Sequence, residues 1–205
     1  MTKITSDIYQ GDQTDHFKYL VFTNLNNPSP KNVLFLKLAL LDKGKEVKYQ
    51  AAMKEFFEDV CTLEIYTERN QFETEVSPAK IKDYNFIFVN PPVGICNLKD
   101  KADCISWGKK NPDSSIAYFD KNHFDQLINQ LDHKQTLFFY QYVRAAELTK
   151  IKESIPAFKK LFETKKVIDV IVFPNCLLVF FSPTGIKDLF KDDFYKRLKT
   201  SDRLR

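Results

Sequence analysis

The sequence predicts an α/β fold: a three-layer sandwich with a mostly parallel sheet that ends in an antiparallel hairpin. Three observations lead there. Segments of strand character alternate with segments of helical period along most of the chain, as parallel sheets with crossover helices require. Tyr84-Asn-Phe-Ile-Phe-Val-Asn90 is apolar without alternation, the pattern of a strand covered on both faces. Val167-Ile-Asp-Val-Ile-Val-Phe173 and Cys176-Leu-Leu-Val-Phe-Phe181 are separated only by Pro174-Asn175, the spacing of a two-residue hairpin.

The elements follow in chain order. A polar leader covers 1–16. Phe17-Lys-Tyr-Leu-Val-Phe-Thr23 is aromatic and branched and predicts a strand, stopped by the turn formers Asn24-Leu-Asn-Asn-Pro-Ser-Pro30. From Lys31 to Leu41 the density of Leu and Ala predicts a helix with Gly44 just past its end, the alternative being a buried strand. Lys45 to Tyr49 reads as a short strand. Gln50 to Asp59 reads as a helix, because Met53, Phe56, Phe57 and Val60 fall on one face. Cys61 to Thr67 alternates as a third strand, and Glu68 to Asp83 is polar and irregular. Pro91-Pro92 end the covered strand, since neither proline donates to a ladder. A long loop, 93–119, precedes Asp120, which is placed to cap a helix carrying Phe124, Leu127, Ile128 and Leu131. Thr136 to Val143 is the next strand, and Arg144 to Glu163 a helix that restarts at Ser154-Ile-Pro156. Past the hairpin, Ile186, Leu189, Phe190, Phe194 and Leu198 predict an amphipathic C-terminal helix over 184–205, which leaves 17–183 as the main domain.

Composition narrows the function classes. The 205 residues are 43% hydrophobic and 28% charged, with 19 Phe and 9 Tyr, which suits one aromatic-rich core and excludes a disordered chain. The longest apolar run, Cys176 to Phe181, is far shorter than the roughly 18 residues of a membrane helix, so no membrane partner is expected. The first ten residues lack a secretory or transit pattern, and an intracellular site, nuclear or cytoplasmic, is the expectation. Cys61, Cys96, Cys104 and Cys176 form no Cys-x-x-Cys pair, and His16, His123 and His133 have no ligand spacing, so no metal is expected. A Gly-x-Ser-x-Gly elbow and a phosphate loop are also missing. A net charge of +4 permits a nucleic-acid partner without demanding one.

Within this frame one motif carries chemistry. The strand end Phe86-Ile-Phe-Val-Asn90-Pro91-Pro92-Val93 resembles the (Asp/Asn)-Pro-Pro-(aromatic) motif of amino methyltransferases of the class I, S-adenosylmethionine-dependent, Rossmann-like fold. The resemblance implies that Asn90 and the Pro91 carbonyl accept hydrogen bonds from the amine to be methylated, with Pro92 stiffening the turn. It also implies a glycine-rich turn after the first strand and an acid after the second. At the first of these positions stand Asn24-Leu-Asn26, at the second Tyr49-Gln50, and the aromatic is Val93. The chain therefore resembles a degenerate member, similar to the non-catalytic subunits of the MT-A70-like adenine-N6 methyltransferases. That implies no bound cofactor, a catalytic methyltransferase subunit as partner, and DNA or RNA reached through the complex. An active enzyme that binds S-adenosylmethionine and methylates an exocyclic or amide nitrogen is the first alternative. A protein-interaction domain without nucleic acid is the second.

Two basic regions and one apolar loop complete the candidates. Lys109 and Lys110 beside Trp107 suit contacts to phosphates and a base, or a solvated loop with Trp107 in the core. Lys196 and Arg197 suit nucleic-acid contacts, or the wet face of a helix. Ile105 and Trp107, apolar among interleaved charges, are the expected anchors of a partner interface, with Trp107 dominant because large rings carry interface energy.

Overall fold

A computed structural model of the chain describes residues 13–39, 46–91, 94–96, 118–142, 164–173 and 176–204, with isolated positions between 152 and 162. The elements are α1 (Gln13–Thr23), β1 (Val33–Leu38), α2 (Glu46–Phe57), β2 (Thr62–Tyr66), α3 (Arg69–Glu75), α4 (Pro78–Ile81), β3 (Phe86–Asn90), β4 (Gly94–Cys96), β5 (Tyr118–Asp120), α5 (Lys121–Asn129), β6 (Thr136–Tyr142), β7 (Val167–Phe173), β8 (Cys176–Ser182) and α6 (Asp192–Thr200). Six strands form one mixed sheet in the order β2-β1-β3-β6-β8-β7. The first four are parallel, whereas β8 runs antiparallel to both β6 and β7. The fold is thus α/β with a mostly parallel sheet and a terminal antiparallel pair, as the alternation and the hairpin spacing predict. β4 and β5 make a separate parallel pair.

Strand alternation divides the buried residues into two clusters. Leu34, Leu36, Ile87, Val89, Leu137 and Phe139 join Phe72 of α3, Ile81 of α4 and Phe124 of α5. Val33, Phe35, Phe88, Phe138 and Phe180 join Phe22 of α1, Phe57 of α2 and Phe194 of α6. In the second cluster Phe35, Phe88, Phe138 and Phe180 stand side by side across four strands, with ring centroids 4.8, 4.8 and 4.9 Å apart. Phe22 packs edge-on against three of these rings, at 5.5 to 5.9 Å. Close offset and edge contacts add to the area these rings bury, which is how an aromatic-rich chain makes its core.

Several local expectations are met. The hairpin pairs Phe173 with Cys176 and continues to Val167 with Ser182. The Asp120 carboxylate accepts the His123 N–H at 3.1 Å and caps α5, whose Phe124, Leu127 and Ile128 are buried.

Five expectations are corrected. The segment 17–23 is the end of helix α1, not a strand: Val21, Phe22 and Leu25 are buried while Leu20 is 48% exposed, a helical spacing that alternation cannot produce. The segment 31–41 is not a helix, because Val33–Leu38 is a strand buried at every position; a central site in the sheet overrides the helix propensity of Leu. Lys45 to Tyr49 is not a strand, since α2 already begins at Glu46 and Tyr49 lies on its buried face with Met53 and Phe57. In the polar stretch 68–83, α3 and α4 form around the buried anchors Phe72 and Ile81. The C-terminal helix is also shorter than its apolar stripe. Gly185 has φ +92°, the Ile186 N–H donates to the Asp169 carboxylate at 2.8 Å, and Leu25 bridges Phe190, so helix begins only at Asp192.

Candidate functional site

Parallel sheets bind ligands at the carboxyl ends of their strands, where the strand order reverses. Here the chain passes from β1 outward to β2 and returns to β3 on the other side of β1, so the reversal lies between β1 and β3. The register pairs Lys37 with Asn90 at that point. Asn90, the candidate amine acceptor, is therefore the last residue of β3 at the switch point, 5% exposed, with Pro91 buried behind it. Pro92 and Val93 lie outside the described residues.

The neighbour of Asn90 was not singled out by motif. Lys37 is 8% exposed on the same face of the sheet as Phe35, and its ammonium stands 5.2 Å from the ring centroid of Tyr49, itself buried on α2. Cation and ring thus span the gap between the end of β1 and the first turns of α2. A second buried lysine, Lys18 of α1, lies 6.0 Å from the Phe35 ring and 5.6 Å from the Tyr140 ring. A lone charge inside the run Val33-Leu-Phe-Leu-Lys-Leu38 is itself a sequence signal, since lysine is almost never fully buried unless something holds it.

Asn24, Asn26 and Gln50, expected to be degenerate cofactor positions, do not stand at the corresponding places of the corrected strands. Asn24 and Asn26 do not follow the first sheet strand. The Asn24 side chain donates to the Leu20 carbonyl in the last turn of α1, and the Asn26 side chain donates to the Asp188 carbonyl and so ties the end of α1 to the segment before α6. Gln50 lies within α2 rather than after a second strand. The connection that does follow β1 reads Ala39-Leu-Leu-Asp-Lys-Gly-Lys45, and its first N–H, from Ala39, donates to the Tyr66 carbonyl at 2.8 Å. An acid does follow β2: Glu68, exposed, just before α3.

Lys196 and Arg197 are exposed on α6. Ile105, Trp107, Lys109 and Lys110 lie outside the described residues. Among the described residues no group of three or more His, Cys, Asp or Glu side chains is placed to hold a metal ion. Cys61 is buried, and that burial pushes its thiol well above the ordinary range, so it does not offer a nucleophile. Among the described residues no helix is long and apolar enough to cross a membrane.

Comparison of the chain with protein-family models finds no match, and a search of curated proteins finds none either.

Proposed function

We propose that the chain is a non-catalytic, methyltransferase-like subunit that supports a catalytic partner acting on the adenine amino group of DNA or RNA. The support for the methyltransferase-like half of this reading is the position of Asn90-Pro91: the motif ends the strand beside the switch point, in a sheet whose last strand, β8, is inserted antiparallel between β6 and β7, an arrangement that resembles the Rossmann-like sandwich of that family.

The observation that carries the non-catalytic half is Lys37 on Tyr49. S-adenosylmethionine carries a sulfonium cation and needs bare backbone after the first strand. At this place the chain presents a buried ammonium, an aromatic ring, and an Ala39 N–H already given to Tyr66. A sulfonium brought to 4 Å from an ammonium near a protein surface meets a repulsion of about 4 kcal/mol. These residues support the reading that the chain binds no cofactor, and no methyl-transfer step is assigned to them.

Asn90 and Glu68 favour a second reading, an active methyltransferase, because the amine acceptor and an acid after the second strand are both in place. The two readings separate in the complex purified with its partner, assayed for transfer of labelled methyl groups to nucleic acid. Asn90→Ala leaves the rate unchanged within about twofold if the partner does the chemistry. A loss of a hundredfold or more, the scale of removing a transition-state contact, establishes the active enzyme instead. A complex that transfers no methyl group rejects both.

A further inference from the structure

A groove of about 850 Å³ runs between α1 and α6 and ends against the last residue of β7. One wall carries Leu20, 48% exposed, and Asn24; the other carries Lys196 and Arg197, both exposed. At one end the Lys191 ammonium donates to the Thr23 carbonyl at 2.7 Å, next to Asp192 and Asp193 in the first turn of α6. At the other end Arg203 donates to the Val172 carbonyl at 3.2 Å and lays its guanidinium 5.1 Å from the ring centroid of Phe173. Four cations thus face two carboxylates, and the carboxylates are gathered at one end.

We infer that this groove binds a single-stranded segment of nucleic acid, with Lys196, Arg197 and Arg203 on its phosphates and the Phe173–Arg203 platform and Leu20 against its bases and sugars. This assignment rests on the nucleic-acid half of the proposed function. Single-strand sites combine a cationic track with flat side chains on which bases stack. The groove has both. β7 is parallel to β6, so Phe173 ends at the same edge of the sheet as Asn90. It lies three strands away, about 14 Å. A strand seated here therefore passes along the edge from which the partner receives its base.

The test is fluorescence anisotropy with the whole chain and a labelled single-stranded oligodeoxynucleotide of mixed sequence, over a salt series beginning near 50 mM. The expectation is binding whose log–log salt slope approaches about −2, which is about −0.7 for each of the three phosphates held by Lys196, Arg197 and Arg203. Lys196→Ala/Arg197→Ala, exposed positions whose replacement leaves the urea midpoint unchanged, should weaken binding tenfold or more and flatten the slope by about 1.4. Unchanged affinity and slope in the double variant place the nucleic acid elsewhere and overturn the groove alone. A wild-type chain that does not bind the oligonucleotide at low salt overturns the groove, and a polyglutamate peptide that displaces it at equal charge shows a general acidic-partner surface and overturns it too. The methyl-transfer assay on the complex is read independently of either result.

Discussion

Lys37 is the residue on which the functional account turns, and its burial was readable only once β1 was seen as the strand next to β3. The same logic of a polar group fixed by its neighbours governs Asp132, in the turn before β6. Its carboxylate accepts the Lys134 N–H at 2.7 Å and the Gln135 N–H at 3.0 Å, and the Gln135 amide in turn donates to the Ile81 and Tyr84 carbonyls, pinning the entry to β6 against the entry to β3. The Lys134 N–H, first, and then the Gln135 N–H, with His133 and Lys166 nearby, hold the Asp132 carboxyl below its ordinary value. A carboxyl whose pKa is lower folded than unfolded stabilises the fold above the unfolded pKa and loses that contribution as pH falls through the folded one. Asp132→Asn should therefore lower the urea midpoint at pH 7. The gap between variant and wild type should close as pH drops below the usual carboxylate range. An equal gap at pH 7 and at the acid end contradicts the assignment.

At the scale of elements, α1 is the sharpest departure from sequence expectation and the easiest to check. Phe22 touches Phe35, Phe57, Phe88 and Phe138, whereas Leu20, two residues away, faces solvent. Phe22→Ala should cost about 3–5 kcal/mol in chemical denaturation, and Leu20→Ala no more than about 0.5. Comparable losses at both would restore the strand. Aromatic and branched composition marked 17–23 as a strand, and Leu-Ala composition marked 31–41 as a helix; both readings failed for the same reason, that burial on one face or on two outweighs propensity. β3, β6, the cap of α5 and the hairpin were legible because their signals are local: a run covered on both faces, an Asp three residues before a first-turn N–H, a two-residue spacing between strands. Asn90-Pro91 was legible as a motif. Its partner Lys37, and the groove of α1 and α6, were not, because register and helix packing join residues more than 50 positions apart.

In the molecule as a whole, the sheet order sets the switch point, the switch point sets the crevice between β1 and β3, and the crevice carries Lys37 on Tyr49 beside Asn90. The central claim is that this crevice is closed by the chain's own side chains. Isothermal titration calorimetry of the whole chain with S-adenosylmethionine tests it most directly. The account predicts no heat of binding up to millimolar cofactor, a ceiling of about −4 kcal/mol in binding free energy. Saturable binding by the wild-type chain at micromolar dissociation constant, left unchanged by Lys37→Gly, would contradict it.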